Sequence, residues 1–460
     1  MPARMGATIG STREGGRWKG VALVLLVVAL AAGGWWALRT GEAPAIEVET
    51  RYPALGREAL VIARFSAPGG LGAMRLELSQ GDRTEVLAEE RFPAPPPFGA
   101  EPVDSAILDV DAGFGSQPWL TEGEAVLRAV GRPWGGPLRS PDEVVVERPI
   151  EVRRSPPRLE VVSARPVVRQ GGSGLLLIRV GPHHLASGVR AGDTEFPSFP
   201  HPSGPPDVRY VLFGVPWDHD DTGEVRVWAT NDAGMRVEAP ALRRLAQSAS
   251  TTDTIRLDDA FLERVVPPIA SRRSDLPEGS PLETYLAING DLRAENLERI
   301  RELASVTAPE LLFEGAFLQL PNSVVLAGFA DDRTYLYDGE AVDRQVHLGL
   351  DLASVARAPV PAPNHGRVIL ADWLGIYGNA VLLDHGGGLM SLSGHLSRID
   401  VAEGQKVTKG ETIGASGQTG LAGGDHLHLE VLVHGTSVDP IEWLDGRWIE
   451  THVLEPMQLE

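Results

Sequence analysis

The segment from Gly20 to Leu38 carries no charged residue and is long enough to cross a hydrocarbon core as a helix. Four basic residues and a single acidic residue precede it. By the positive-inside rule, residues 1–19 then stay in the cytoplasm and the rest of the chain is exported. The sequence therefore predicts one transmembrane signal anchor, at 20–38, with the body of the protein outside the cytoplasm.

A cleaved signal peptide is the alternative interpretation of the same segment, with Val21–Ala32 as its apolar region. The nearest small-x-small cleavage pattern is Ala43–Ala45, which contains Pro44 and lies beyond Trp35 and Trp36. It is therefore a poor cleavage site, and the anchor is favoured. Both interpretations export the body of the chain.

Composition excludes several classes of protein. The 460 residues suggest about three domains. The formal net charge of −20 argues against a nucleic-acid partner, because phosphate binding requires clustered Lys and Arg. The absence of cysteine excludes disulfides, thiolate metal sites and cysteine nucleophiles.

Residues 45–154 and 156–245 show short runs of alternating apolar residues separated by Gly, Pro and Asp, as in Glu124–Val130 and Val144–Val152. A period of two with turn residues at this spacing is typical of β-sandwiches. Leu175–Ile178 is predicted to be a buried strand. We therefore predict a mainly β chain with two β-sandwich modules before residue 246.

The end of the second module is predicted to be a strand–turn–strand, with Val225–Ala229 and Met235–Val237 flanking the turn Asn231–Gly234. This stretch resembles the last hairpin of many bacterial immunoglobulin-like modules. The modules are expected to act as spacers or as docking surfaces for protein partners.

Residues 246–320 have a helical period and are predicted to form a connector. A short helix containing Phe261–Val266 is expected to end at Pro267. A second helix, with Asp291 as its N-cap, carries an apolar stripe that includes Leu292 and Ile300. The stripe either packs against a neighbouring domain or belongs to a regulatory flap, and the sequence leaves both open.

The residues from 321 to 445 are again β-patterned and hold most of the histidines. In His426–Val433 apolar and polar residues alternate, so His426 and His428 are predicted to project from one face of a strand. Upstream, His347 and Asp351 are four residues apart, with Gly349 between them allowing close backbone approach.

Two histidines and one carboxylate suit Zn²⁺ with an open coordination position. A further histidine, His395, lies in a strand-like segment between the two motifs. His365 and His385 instead lie in turn-like sequence and are interpreted as turn residues. The pattern therefore predicts one metal ion, held by residues of both motifs.

The segment from about residue 320 to about 445 resembles the lysostaphin-type (LytM-like) zinc peptidases that cut peptidoglycan cross-links. Three connecting stretches carry the resemblance together with the two histidine motifs: Gly375–Gly386, Gly394–Ser397 and Ser416–Gly420. It implies a C-terminal antiparallel β-sheet metallopeptidase domain, followed by a tail at 446–460.

The resemblance also implies the roles of individual residues. His347, Asp351 and His428 match the zinc ligands, whereas His395 and His426 match histidines that line the site without binding metal. His426 is expected to act as general base and His395 as oxyanion donor.

Two further features qualify the resemblance. The family usually has a tyrosine two residues before the histidine that matches His395, and Ser393 occupies that position here. This departure leaves the metal ligands intact. Glu403–Gly414 resembles a hairpin of biotinyl and lipoyl carrier domains, without the flanks of a modified lysine, so that the catalytic domain is expected to resemble such a hairpin barrel.

The sequence thus predicts a zinc endopeptidase that acts on peptidoglycan peptides. It is expected to be anchored in the inner membrane, with its body in the periplasm and the β modules available to cell-envelope proteins. The alternative is a catalytically silent relative that activates another cell-wall hydrolase. The bond cut, a D-alanyl-diaminopimelate cross-link or a glycine bridge, stays open.

Overall fold

The computed structural model describes residues 15–93, 101–248, 251–277 and 279–458. These residues are mainly β, as predicted. The chain divides into two compact units. The first comprises residues up to 156 with 232–235, and the second comprises 157–231 with 236–460.

The predicted apolar run is helical. Helix α1 spans Gly15–Leu38, and its Gly20–Leu38 portion is long and apolar enough to cross a membrane. Side chains along it, including Leu23 and Leu30, are exposed. Length and composition suit a membrane anchor and a signal sequence equally. Two of the four basic residues that predict its orientation, Arg4 and Arg13, belong to residues 1–14, outside the described residues.

Beyond α1, the described residues of the first unit form eight strands: β1 (Ala45–Thr50), β2 (Ala54–Leu55), β3 (Ala59–Ser66), β4 (Leu71–Gln80), β5 (Arg83–Arg91), β6 (Ser105–Ala112), β7 (Gly123–Pro133) and β8 (Val144–Val152). They make two sheets, ordered β1-β3-β6 and β2-β8-β7-β4-β5, with one apolar core. The strands predicted at 124–130 and 144–152 are confirmed within β7 and β8.

The second unit begins with further strands: β9 (Leu159–Val161), β10 (Val167–Arg169), β11 (Ser173–Val180), β12 (His184–Ala191), β13 (Thr194–Pro197), β14 (Phe199–Pro200), β15 (Val208–Gly214), β16 (Val225–Asn231), β17 (Arg236–Pro240) and β18 (Arg244–Ala246). Two four-stranded sheets have the orders β14-β15-β11-β9 and β13-β12-β16-β17. The predicted buried strand is confirmed within β11, and the predicted hairpin is the antiparallel pair β16–β17.

The described residues of the connector form one strand and three α-helices: β19 (Thr252–Leu257), α2 (Asp259–Ala270), α3 (Pro281–Ala287) and α4 (Arg293–Ala304). The prediction that α2 ends at Pro267 is wrong, because the helix continues through Pro267 and Pro268. The carbonyls that lose a hydrogen bond to these prolines belong to the exposed residues Glu263 and Arg264. Burial of Ile269 on the opposite face favours the last turn.

The prediction that Asp291 caps the second helix is also wrong. Ser280 is the N-cap of α3 and forms a capping box with Glu283. The chain then passes through a π-turn, Ile288–Leu292, directly into α4, so Asp291 lies inside a continuous helical segment. The earlier and stronger cap therefore sets where this helix begins.

The remaining elements form the C-terminal domain: β20 (Val324–Ala327), β21 (Asp331–Tyr337), β22 (Glu340–His347), β23 (Leu350–Ala353), β24 (Pro359–Pro361), β25 (Gly366–Trp373), β26 (Asn379–Asp384), β27 (Leu389–Leu396), β28 (Arg398–Ile399), β29 (Lys406–Val407), β30 (Thr412–Ala415), β31 (Leu427–Val433), β32 (Thr436–Val438), α5 (Pro440–Leu444) and α6 (Gly446–Ile449). The main sheet has the order β20-β23-β31-β27-β26-β25-β29, with β32 also on β31.

Two small sheets flank the main sheet, in the orders β19-β21-β22 and β24-β30-β28. The expected hairpin at Glu403–Gly414 is wrong, because its two strands do not pair with each other. β29 extends the main sheet beside β25, whereas β30 lies between β24 and β28. Each strand finds a partner distant in sequence, which a local pattern does not reveal.

Apolar cores on the two faces of the main sheet hold it in place. On one face, the connector helices pack on β26, β27 and β31 through residues such as Ile269, Ile300 and Leu392. On the other, the β24-β30-β28 sheet packs through Val360 and Ile413. The pair β23–β31 therefore belongs to a sheet that is packed on both faces.

Candidate metal centre

Strand pairing brings the two predicted motifs together. β22 ends at His347, and β23 pairs antiparallel with β31 so that Asp351 lies directly opposite His428. A Cβ at Gly349 would lie 2.7 Å from the Leu429 carbonyl oxygen and 2.8 Å from His428 Cε1. The close approach predicted at Gly349 is therefore present, and only glycine fits there without displacing its neighbours.

The three predicted ligands converge on one point. His347 Nε2 lies 3.0 Å from Asp351 Oδ1 and 3.1 Å from His428 Nδ1. His428 Nδ1 lies 2.9 Å from the same carboxylate oxygen. All three side chains are buried.

Hydrogen bonds on the far side of each ring fix which nitrogen faces this point. His347 Nδ1 donates to the Gly328 carbonyl oxygen over 2.7 Å, so its Nε2 carries a lone pair when the ring is neutral. His428 Nε2 lies 2.9 Å from Glu430 Oε1, so its Nδ1 does the same. Such outer hydrogen bonds typically orient metal-binding histidines.

The donor set fits a cation. In the neutral tautomers, two imidazole lone pairs and one carboxylate oxygen face each other about 3 Å apart, which is repulsive unless a positive charge lies between them. Tetrahedral Zn²⁺ holds its ligand atoms roughly 3.3 Å apart. Two His and one Asp therefore suit Zn²⁺ here in both chemistry and spacing.

The pKa values of Asp351 and His428 reflect the same excess of hydrogen-bond acceptors over donors in the cluster. Burial acts to raise the pKa of Asp351, but hydrogen bonds with His347, His426 and His428 outweigh it and hold that pKa well below its usual range. Burial lowers the pKa of His428, but hydrogen bonds to Asp351 and Glu430 raise it to about 9. Without a cation, a proton on His428 therefore offsets the negative charges of Asp351 and Glu430.

Glu430 is a further buried carboxylate beside the predicted ligands, and its position was not predicted from the sequence motifs. Its side chain is buried, and besides its contact with His428 it accepts hydrogen bonds from Tyr377 Oη at 2.8 Å and Ser437 Oγ at 3.2 Å. Glu430 follows His428 by two residues on β31, so the strand period that paired His426 with His428 extends to it. That periodicity was an available signal.

The two other predicted histidines lie beside the ligands. The His426 ring centroid is 4.8 Å from that of His395, which is 5.7 Å from that of His428. His426 Nδ1 donates to the Gly424 carbonyl oxygen, and His395 Nδ1 donates to that of Thr419, each over 2.8 Å. Both neutral rings therefore keep a lone pair on Nε2, and His426 Nε2 is 3.5 Å from Asp351 Oδ1.

His395 is held in an unusual backbone conformation, with φ of 60°. This left-handed conformation is uncommon for residues other than glycine, and it often occurs at functional sites. Burial, reinforced by the neighbouring His426 and His428, lowers the pKa of His395 well below its usual range. His395 is therefore neutral at rest, and its Nε2 accepts a proton before it can donate one. Ser393, in place of the family's tyrosine, is buried on β27.

The site lies at the bottom of a cleft of about 370 Å³. One wall comes from loops before β31, including Gly423 and Gly424, and the other comes from the connector. The apolar stripe of the connector packs on the main sheet, which supports the first of the two alternatives, and the connector also lines the cleft. Its lining side chains are Phe261, Tyr285, Asn289, Arg293 and Leu297. A regulatory role for the connector stays a prediction.

Residues 345–440 match the sequence profile of peptidase family M23. The chain is 40% identical over 97 residues to the DD-carboxypeptidase/endopeptidase Mpg of Neisseria meningitidis, and 40% identical over 96 residues to the peptidoglycan DD-endopeptidase ShyA of Vibrio cholerae. Each match covers 21% of this chain and 22% of the relative. The chain thus spans about a fifth of the length of these curated relatives.

Two other proteins are similar to part of this chain. The murein hydrolase activator EnvC of Escherichia coli is 38% identical over 96 residues, which cover 21% of this chain and 23% of EnvC. The catalytic domain of lysostaphin from Staphylococcus simulans is 28% identical, with a TM-score of 0.25 over 28% of this chain and 98% of that structure. The matched segment contains the three converging ligands and both neighbouring histidines, and this chain carries a peptidase family M23 domain at its C-terminus.

Proposed function

We propose that this chain is a zinc-dependent endopeptidase that hydrolyses peptide cross-links of bacterial peptidoglycan. The observation that carries the proposal is the convergence of His347 Nε2, Asp351 Oδ1 and His428 Nδ1, all presented as acceptors, within 4.8 Å of one another. The name of ShyA, a peptidoglycan DD-endopeptidase, supports the substrate class.

His347, Asp351 and His428 would hold the metal. When bound, Zn²⁺ supplies a Lewis acid that polarises an amide carbonyl and lowers the pKa of water towards about 7. The remaining steps are proton transfers, which belong to the chain's own histidines.

His426 is the proposed general base, since its Nε2 lies 3.5 Å from Asp351 Oδ1 and carries a lone pair when the ring is neutral. After it takes the proton of the attacking water, the ring can return that proton to the leaving amine. His395 presents the same tautomer, so the oxyanion role expected for it requires a proton on Nε2. We therefore propose that the two adjacent rings share one proton, and that the protonated ring donates to the carbonyl oxygen or the leaving nitrogen.

The test is digestion of purified peptidoglycan, with mass spectrometry of the released muropeptides. The wild-type chain should release peptides cut at one type of cross-link, which also separates a D-alanyl-diaminopimelate bond from a glycine bridge. H347A and D351A should release no more than a buffer blank, because each removes one of three ligands. H452A is the matched control, since His452 stacks on Trp448 outside the cleft. Undiminished release by H347A would exclude the metal mechanism.

The similarity to EnvC favours a second candidate, a protein that activates another murein hydrolase. Such a protein needs a binding surface and no metal. If this is its role, the chain alone releases nothing, and both wild type and H347A stimulate a partner hydrolase equally. Retention of all three ligands in the site favours the first candidate.

We further propose that α1 anchors the chain in the inner membrane with its body in the periplasm. The exposed apolar side chains of α1 and the peptidoglycan-directed name of ShyA support this location. Cell fractionation and N-terminal sequencing of the mature protein test it. A membrane-bound chain that keeps residues 20–38 supports the anchor, and a soluble chain that begins after them supports a cleaved signal.

A further inference from the structure

Asp351 uses its two carboxylate oxygens for different partners. Oδ1 faces His347 and His428 at the ligand cluster. Oδ2 accepts a hydrogen bond of 3.0 Å from Arg333 Nη2. The guanidinium of Arg333 thus binds the oxygen of Asp351 that points away from the cluster, and only Oδ1 is directed at the cluster.

Arg333 lies outside the segment that matches the family, on β21, where it is paired with Gln345 two residues before His347. The Arg333 and Asp351 side chains are 16% and 12% exposed, so the pair is largely shielded from water. A charged hydrogen bond in such surroundings fixes geometry far better than one on the surface. Arg344 and Asp332 form an ion pair on the same two strands, but Arg344 is 73% exposed.

We propose that Arg333 is a positioning residue for the metal ligand Asp351. By binding Oδ2, it would leave only Oδ1 of Asp351 for a metal ion held by the cluster. Its positive charge would also draw electron density from the carboxylate and so weaken the charge that Asp351 donates to the ion. The inference rests on the metal site of the proposed function and adds a residue that the family segment does not contain.

Co²⁺ substituted into the full chain reports the coordination number directly, because the visible d–d absorption of Co²⁺ is strong in four-coordinate sites and weakens on five-coordination. In R333Q the freed Oδ2 is expected to join the metal, so the absorption of the Co²⁺ form should weaken. Turnover by the Zn²⁺ form should fall about 10- to 100-fold, as is typical when an outer partner of a ligand is lost. R333K should recover part of both signals, because lysine restores the charge but not the planar fork.

R344Q is the matched control and should keep the wild-type spectrum and turnover. Circular dichroism of the metal-free proteins checks folding, and R333M, which keeps part of the apolar stem, replaces R333Q if that variant does not fold. A wild-type Co²⁺ spectrum in the folded variant overturns the inference, even if turnover falls, because the role of Arg333 would then lie away from the metal. Failure of the wild-type chain to bind Co²⁺ or Zn²⁺ would instead overturn the proposed function.

Discussion

Two groups of buried histidines in the C-terminal domain differ in how their ring nitrogens are used. His385 has both nitrogens satisfied by the chain, with Nδ1 2.7 Å from the His365 carbonyl oxygen and Nε2 2.8 Å from Ser391 Oγ. The four histidines of the cleft each have one nitrogen hydrogen-bonded to an outer acceptor. The other nitrogen belongs to the ligand cluster in His347 and His428 and faces it in His426. In His395 the other nitrogen has no hydrogen bond to the described residues, and the ring lies beside those of His426 and His428.

The difference identifies which histidines have a ring nitrogen available to a metal or a proton. A buried imidazole that is fully satisfied adds specificity to a core and has no free lone pair. A ring that is satisfied on one side only has a directed lone pair that a metal or a proton can use. The interpretation of His385 as a structural residue of a turn fits its geometry, because it directly follows β26 and is fully buried.

Among variants that keep the three predicted metal ligands, the largest effect is expected from H426A. Loss of a general base typically lowers turnover by about 10²- to 10⁴-fold, and the metal ligands remain in place. Bound zinc should therefore stay at one ion per chain while hydrolysis falls. Metal analysis and digestion assays on the same sample measure both. A loss of zinc from H426A would place that residue among the ligands.

Acid should destabilise the fold through His385. Burial lowers its pKa to about 4 and outweighs the hydrogen bond that Nδ1 donates to the His365 carbonyl oxygen, which acts to raise that pKa. The unfolded chain binds a proton at this histidine more readily than the folded chain does. The contribution of neutral His385 to the free energy of unfolding is therefore fully present above about pH 6.5 and is lost as the pH falls towards 4. The free energy of unfolding should drop by about 3 kcal/mol over that range from this group alone.

Denaturant unfolding between pH 7 and pH 4, with a chelator present to remove any metal effect, measures this loss. H385Q should show a shallower dependence on pH, although it is less stable at pH 7 because it loses the shape of the ring. H452Q is the control and should retain the wild-type dependence. If the free energy of unfolding of H385Q depends on pH as steeply as that of the wild type, His385 is not a neutral histidine with both nitrogens satisfied.

A smaller effect is expected from E430Q, which keeps the shape of the acceptor for His428 but removes its charge. Outer partners of this kind typically contribute about 10- to 100-fold to metal affinity or activity. Competition with a chromogenic chelator should therefore show weaker zinc binding by E430Q. E442Q is the control, because Glu442 is another buried carboxylate of this domain that bonds to Ser173 instead of a metal ligand. Equal zinc affinity in the two variants would show that Glu430 does not act through His428.

That the two histidine motifs supply one site was predictable from short-range rules, whereas the choice of His347, Asp351 and His428 as ligands came from the resemblance to the lysostaphin-type family. Strand alternation placed His426 and His428 on one side, and the spacing of His347 and Asp351 supplied the other donors. Glu430 was within reach of the same alternation. Arg333 was not, since its role arises only when β21 brings it behind Asp351.

The fold was predictable in its class and less so in its pairings. Alternation identified β7, β8, β11 and the β16–β17 hairpin, where each strand has a regular pattern. It failed at Glu403–Gly414, whose strands pair with distant partners. At Pro267 and Asp291, burial and an earlier cap outweighed local helix signals.

The central claim is that the cleft histidines divide into ligands and proton carriers. Anomalous diffraction at the zinc edge, from crystals of the zinc-loaded chain, tests this division most directly. The account predicts one peak, bonded to His347 Nε2, Asp351 Oδ1 and His428 Nδ1, with His395 and His426 close to it but not bonded. A peak bonded to His395 or His426, or no zinc at this cluster, would contradict it.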